Sequence, residues 1–239
     1  MPPEFRQREL PAGGAWRVHP APAVLPRLSH EGPGRNRYDD PWGHYTVRYV
    51  AENLTGALLE TMARFRPAPE AEALLAGVIG VEDGDVDHPD PADGVSDWLA
   101  AQHIGRVTVA EPTTLVDVHD PQLLLELDKH PLVRTALEAS DLGTPLSPAR
   151  LDEAVVRLGG PVGRPVTQAL SRAIRERYPH IGGVAYRSRL DDDEWCWALW
   201  DDTPVEITIS ALTASQRHHR RAITQVARAL EIPLPIIWL

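Results

Sequence analysis

The sequence predicts a single α+β domain, on three observations. Strand-like runs rich in aromatic and β-branched residues lie both early and late in the chain, helical periodicity fills the interval between them, and no internal repeat is present. A sheet that joins distant segments, with helical insertions, is the architecture that satisfies all three.

Residues 1–34 are rich in Pro and Gly and are read as a mostly irregular lead-in to a domain spanning 35–239, apart from a short apolar-centred run at Ala15-Trp16-Arg17-Val18. His44–Ala51 reads as a strand. Asn53 is a candidate cap for a helix running to about Arg66, because Leu54, Ala57, Leu58, Thr61, Met62 and Phe65 recur at helical spacing before Pro67 and Pro69. The long middle segment, about 67–180, predicts a helix over Glu70–Ile79, an exposed acidic loop from Val81 to Gly94, and strands at Ile104–Ala110 and Leu115–Val118. Three helices with proline near their starts follow, at Pro121–Lys129, Pro148–Leu158 and Pro165–Arg177. Gly182–Ser188, Trp195–Trp200 and Val205–Ala211 supply further strands, and Ser215–Leu230 a last helix.

Charge and cysteine content narrow the function. The formal net charge of -10 over 239 residues opposes a phosphate backbone, so direct nucleic-acid binding is not expected. A lone cysteine, Cys196, allows no internal disulfide and suits a reducing cytoplasm; it reads as a buried structural thiol. Neither a signal-like N-terminus nor a run of about 20 apolar residues is present, so no membrane role is expected.

The informative stretch is Gly34–Thr61, which sets an arginine before a turn, a tyrosine in a strand and a glutamate on the next helix. Glu60 lies among core-facing Ala57, Leu58, Thr61 and Phe65 at a spacing that reaches a cleft edge, although a lone helical glutamate is ordinarily a solvated residue. The pair Arg37-Tyr38, the strand Tyr49-Val50-Ala51-Glu52 and the helix segment Ala57-Leu58-Leu59-Glu60-Thr61 resemble the first half of a RES domain. Trp16-Arg17-Val18 resembles that family's opening, and Gly183–Arg189 followed by Cys196–Trp200 resembles the segment carrying its serine. These motifs occur in family order over most of the chain.

That resemblance implies a fold similar to the ADP-ribosyltransferase toxins and an activity that cleaves the nicotinamide-ribose bond of NAD, by phosphorolysis or hydrolysis. NAD is then substrate, inorganic phosphate a co-substrate of the first route, and no cofactor or metal is implied. It also implies the toxin of a toxin-antitoxin pair, with a cognate antitoxin bearing a helical DNA-binding domain; homodimer and hetro-oligomer with that antitoxin both stay open. Glu60, Arg37 and Ser188 match the family's catalytic positions, and Tyr49 its strand tyrosine. Tyr38 is a candidate second aromatic wall, Arg35 an alternative to Arg37, and Arg17 a phosphate contact. Two other classes stay open beside this one: a protein ADP-ribosyltransferase using the same cleft, and an interaction module that kept the fold without the chemistry.

Elementary chemistry is consistent with this set. The pyridinium is already a cationic leaving group, so the scarce resource is negative charge near the developing oxocarbenium ion, which a carboxylate provides. Arginine binds phosphate oxygens through its planar fork and keeps its charge. Ser188 has no His/Asp pattern or GxSxG around it, which disfavours a serine nucleophile. Other signals carry less. Asp83, Asp85 and Asp87 open like a calcium loop, but His88 and Gly94 occupy the positions that need Gly and Glu. Asp191–Glu194 reads as a solvated turn, Gln216–Arg221 as a charged helix face, and Gly159–Pro165 as a linker between helices.

Overall fold

The computed structural model describes residues 5–20, 34–67, 91–140, 142–143 and 149–238. The helix expected over Glu70–Ile79, the calcium-like triad and most of the acidic loop lie outside these. Eight strands form one mixed sheet: β1 (Gln7–Arg8), β2 (Ala15–His19), β3 (Val47–Ala51), β4 (His103–Val109), β5 (Thr114–Asp117), β6 (Ile181–Arg187), β7 (Trp195–Trp200) and β8 (Val205–Ala211). Their order is β1-β5-β6-β7-β3-β2-β4-β8, antiparallel throughout except for the β5–β6 pair. The helices are α1 (Leu54–Met62), α2 (Pro91–Ala100), α3 (Pro121–Leu127), α4 (Pro131–Glu138), α5 (Glu153–Arg157), α6 (Gly160–Arg177) and α7 (Arg217–Ala229). The architecture is α+β, as the sequence predicts. Among the described residues no helix is long and apolar enough to cross a membrane.

The strand pleat divides β7 between the two faces of the sheet. Cys196, Ala198 and Trp200 join the main core with Leu58 and Met62 of α1, Leu170 and Ile174 of α6, and Ile223 and Val226 of α7. Trp197 and Leu199 turn the other way, into a smaller cluster with Val50, Val107, Leu115 and Ala185. Burying side chains of this size stabilises by roughly 1.5–3 kcal/mol each.

Local chemistry sets the helix starts. Asn53 caps α1, its side chain accepting from the Gly56 amide at 2.9 Å. Asp120 caps α3, accepting from Gln122 N and Leu123 N at 2.8 and 3.0 Å.

Several elements differ from or add to the expectation. Within the described part of the lead-in, β2 falls on the apolar-centred run at 15–18, and Gln7–Arg8 adds the short strand β1; pairing with β5, β3 and β4, which lie far along the chain, supplies order that local pattern does not show. The end of the acidic loop belongs to α2, which starts at Pro91, and α4 was unforeseen. The helix expected from Pro148 starts at Glu153, where Asp152 accepts from Val155 N at 2.8 Å. The stretch Gly159–Pro165 is no linker: α6 runs from Gly160 with Pro165 inside it, and Pro161 sits in the first turn, where a missing N–H costs nothing.

Candidate functional site

Register brings the site together. Trp16 pairs with Ala51 across β2–β3, Ala51 with Cys196 across β3–β7, and Cys196 with Tyr186 across β6–β7. These four residues form one row over four neighbouring strands, and all four line a cavity of about 440 Å³. From α1, Ala57, Glu60 and Thr61 face it, and Arg64 of the 3-10 turn Ala63–Phe65 that follows continues their i, i+3, i+4, i+7 spacing. Arg35, Asn36 and Arg37, then Gly160 and Arg164 of α6, and Arg189 beyond β6 close the opposite side. A hollow of about 700 Å³ runs along α7, but among the described residues that helix alone lines it, and it gathers neither carboxylate nor aromatic ring.

Glu60 is the sole carboxylate among the described residues lining the cavity, which also holds six arginines: Arg17, Arg35, Arg37, Arg64, Arg164 and Arg189. The lining is formally +5 in a chain of -10. None of the six makes an ion pair among the described residues, whereas Arg157, Arg172, Arg175 and Arg177 all do. Burial, reinforced by the neighbouring Arg48, lowers the Arg17 guanidinium to about 10. Cations facing one space without a carboxylate partner give it a positive potential that favours anions.

Glu60 is fixed by the serine that the sequence singled out. Ser188 is wholly buried, and its hydroxyl donates to Glu60 Oε1 at 2.5 Å while accepting from Leu190 N at 3.1 Å. The serine lies under the carboxylate and orients it; Ser188 itself does not line the cavity.

The arginine loop is clamped from two sides. Asp39, 6% exposed, accepts from Asn36 N at 2.8 Å, Asn36 Nδ2 at 3.0 Å and the Tyr49 hydroxyl at 2.9 Å. Gln168 of α6 donates to the Gly34 and Asn36 carbonyls at 2.8 and 2.9 Å. Arg37 donates to Val156 O at 2.6 Å, and its guanidinium lies 5.2 Å from the Tyr38 ring centre and 5.3 Å from that of Tyr186. Burial, with the Asp39 charge beside it, raises the Tyr49 hydroxyl well above its ordinary value, so it stays a neutral donor.

Of the residues expected from sequence, Arg17, Arg35, Arg37, Tyr49 and Glu60 line the cavity and Ser188 touches it through Glu60. Tyr38 does not serve as a wall. It is fully buried, its ring 4.8 Å from Tyr186, and Tyr186 is the ring that reaches the cavity. Cys196 is buried, as expected, and burial pushes its thiol far up, but one edge meets the cavity. Sequence reasoning passed over Arg64, Arg164, Arg189 and Tyr186. Arg64 carried a signal, being one helical turn beyond Glu60; Arg164 was hidden in the stretch read as a linker. Asp191–Glu194 forms the turn before β7, where Glu194 accepts from Asn53, and no cluster of three or more metal-ligating side chains occurs among the described residues.

One solved structure, the crystal structure of the M. tuberculosis MbcT-MbcA toxin-antitoxin complex, aligns over 95% of this chain and 91% of that one, with 12% identity and a TM-score of 0.47. No curated protein matches the sequence. The RES domain family model matches residues 15–222, a span that contains every residue described at the cavity, and the chain belongs to the RES-domain family.

Proposed function

We propose that this protein is an NAD-consuming enzyme that breaks the nicotinamide-ribose bond at Glu60. The observation that carries the reading is one serine-oriented carboxylate in a cavity that also gathers six arginines, none of which makes an ion pair among the described residues. A dinucleotide needs both: a polyanion site for its pyrophosphate, and one negative charge beside the ribose that becomes cationic. Glu60 accepts from a ribose hydroxyl and stabilises the positive charge at the anomeric carbon as the pyridinium leaves, so no strong general acid is required. Ser188 holds the carboxylate in that orientation. Tyr186 and Tyr49 offer flat faces to the rings, and Arg17 and Arg37, the half-buried pair, hold the pyrophosphate.

Phosphorolysis is favoured over hydrolysis by Arg64, four residues beyond Glu60, whose guanidinium makes no ion pair among the described residues and can hold an attacking inorganic phosphate. The proposed setting is that of a toxin whose activity a cognate antitoxin restrains by covering the cavity, since free turnover of NAD would harm the host cell. Incubating the purified protein with NAD, with and without inorganic phosphate, and following nicotinamide release tests the reading. Release that rises with phosphate is expected, and folded protein that releases none in either condition refutes it.

A further inference from the structure

We infer that the cavity has a second phosphate subsite at its rim, formed by Arg35, Arg164 and Arg189, and that its ligand is the 2′-phosphate of NADP. This rests on the dinucleotide reading above and extends it to substrate choice. The six guanidiniums fall into two tiers. Arg17 and Arg37 are half-buried, and Arg37 is tied to Val156 O. Arg64 is exposed but its Nε donates to Thr61 O at 3.0 Å, and its guanidinium lies 5.8 Å from the Trp98 ring.

Arg35, Arg164 and Arg189 differ from these three. Each is exposed, and among the described residues none uses its guanidinium in a hydrogen bond, an ion pair or an aromatic contact. They also lie on one side. Gln168 ties the Arg35 loop to α6, Arg164 is on the second turn of that helix, and Arg189 packs so closely on Gly159, the cap residue of α6, that a Cβ there would collide with it. The glycine makes room for the guanidinium.

Charge decides what such a rim is for. The pyrophosphate of NAD brings about two negative charges, against which the pyridinium sets one positive, and the inner pair alone matches it. A 2′-phosphate adds about -1.5 to -2 at neutral pH and three acceptor oxygens. Arginine is the residue that accommodates that group in dinucleotide sites, because its fork binds a terminal phosphate bidentately. The chain has 34 acidic residues, yet none among those described pairs with these three guanidiniums, so their charge is left for ligand.

The test compares the two dinucleotides, first by calorimetry on the slow Glu60→Gln variant and then by turnover of the wild type. NADP is expected to bind at least about 10-fold more tightly than NAD. Arg164→Ala and Arg189→Ala should each reduce the NADP/NAD ratio of kcat/KM by about 10- to 100-fold, the range for losing a hydrogen bond to a charged group. A ratio that stays constant in both variants overturns the inference while leaving the NAD reading intact. So does a variant that only raises the inorganic phosphate needed for half-maximal turnover, since the rim would then serve free phosphate. Failure of folded Glu60→Gln to bind either dinucleotide removes both readings together.

Discussion

Replacing Glu60 by Gln separates charge from shape at the centre of the cavity. The amide keeps the length of the side chain and a carbonyl oxygen that can still accept from the Ser188 hydroxyl, which reaches Glu60 Oε1 at 2.5 Å, so the local geometry should survive. Only the negative charge is lost, and the lining goes from formally +5 to +6. If that charge stabilises a cationic transition state, turnover should fall by about 100- to 1000-fold, or roughly 2.7–4 kcal/mol of activation free energy. NAD affinity should hold or rise, because its phosphates meet a more positive cavity while the carboxylate acts mainly on the transition state. Stability should stay within about 0.5 kcal/mol, since Glu60 is exposed on α1 and makes no ion pair among the described residues. Steady-state nicotinamide release, calorimetric NAD binding and urea unfolding of the same sample measure the three quantities. Turnover within about threefold of wild type, in a variant that binds and unfolds normally, would refute the assignment of chemistry to Glu60.

Three further perturbations probe the supports of the site. Ser188→Ala leaves Glu60 Oε1 without its donor and Leu190 N without its acceptor, so kcat should drop by about 10-fold with a smaller change in KM; an unchanged kcat would mean that the serine does not orient the carboxylate. Asp39→Asn cannot accept from both the Tyr49 hydroxyl and the Asn36 amides as the carboxylate does, which should cost about 1–3 kcal/mol in urea unfolding and raise KM for NAD as the arginine loop loosens. A stable variant with normal KM would show the clamp to be dispensable. Burial lowers the His119 pKa in the folded state against the opposing pull of Asp117 and Glu153, and its neutral Nε2 accepts from Arg187 N at 3.2 Å. The unfolded chain therefore takes up the proton first as pH falls through about 6.5, and stability should decline below that pH. His119→Gln should flatten the decline in urea midpoint between pH 7.5 and 5.5, and an equally steep decline would remove His119 as its source.

What the sequence made legible was mostly what local chemistry decides. The β-branched and aromatic runs at 195–200 and 205–211 are strands with the expected limits, and Asn53 caps α1 as its position before a periodic apolar run suggests. Strands β1 and β2 escaped because their partners lie far away: Gln7 pairs with Val116, and Ala15 with Val107. Proline misled in both directions, since Pro165 is tolerated inside α6 while a carboxylate cap starts α5 well beyond Pro148. At the site, the residues with a distinctive local setting were found. Arg164 and Arg189 were not, because an arginine in a glycine-rich or strand-end context becomes informative only when the fold brings it beside others.

That gathering is the most consequential feature of the molecule. Several arginines elsewhere are paired: Arg172 lies against Asp40 and Glu176, and Arg175 makes two hydrogen bonds to the Asp202 carboxylate, while the α7 arginines Arg217, Arg220, Arg221 and Arg228 make no ion pair among the described residues but have no carboxylate or ring beside them in their hollow. Acidic residues outnumber basic ones by 34 to 24, so a shortage of partners does not explain six arginines around one space that make no ion pair among the described residues. Mutual repulsion there opposes folding, and burial, with Arg48 beside it, further disfavours the charge on Arg17. The backbone clamps offset it: Asp39 and Gln168 fix the arginine loop, and Val156 O and Thr61 O each hold one guanidinium. Charges held in place by the protein's own clamps are preorganised, so an incoming polyanion loses little to rearrangement. Glu60, seated on its buried serine, is the one negative group on that surface among the described residues, which is why the proposed chemistry sets the developing positive charge beside it.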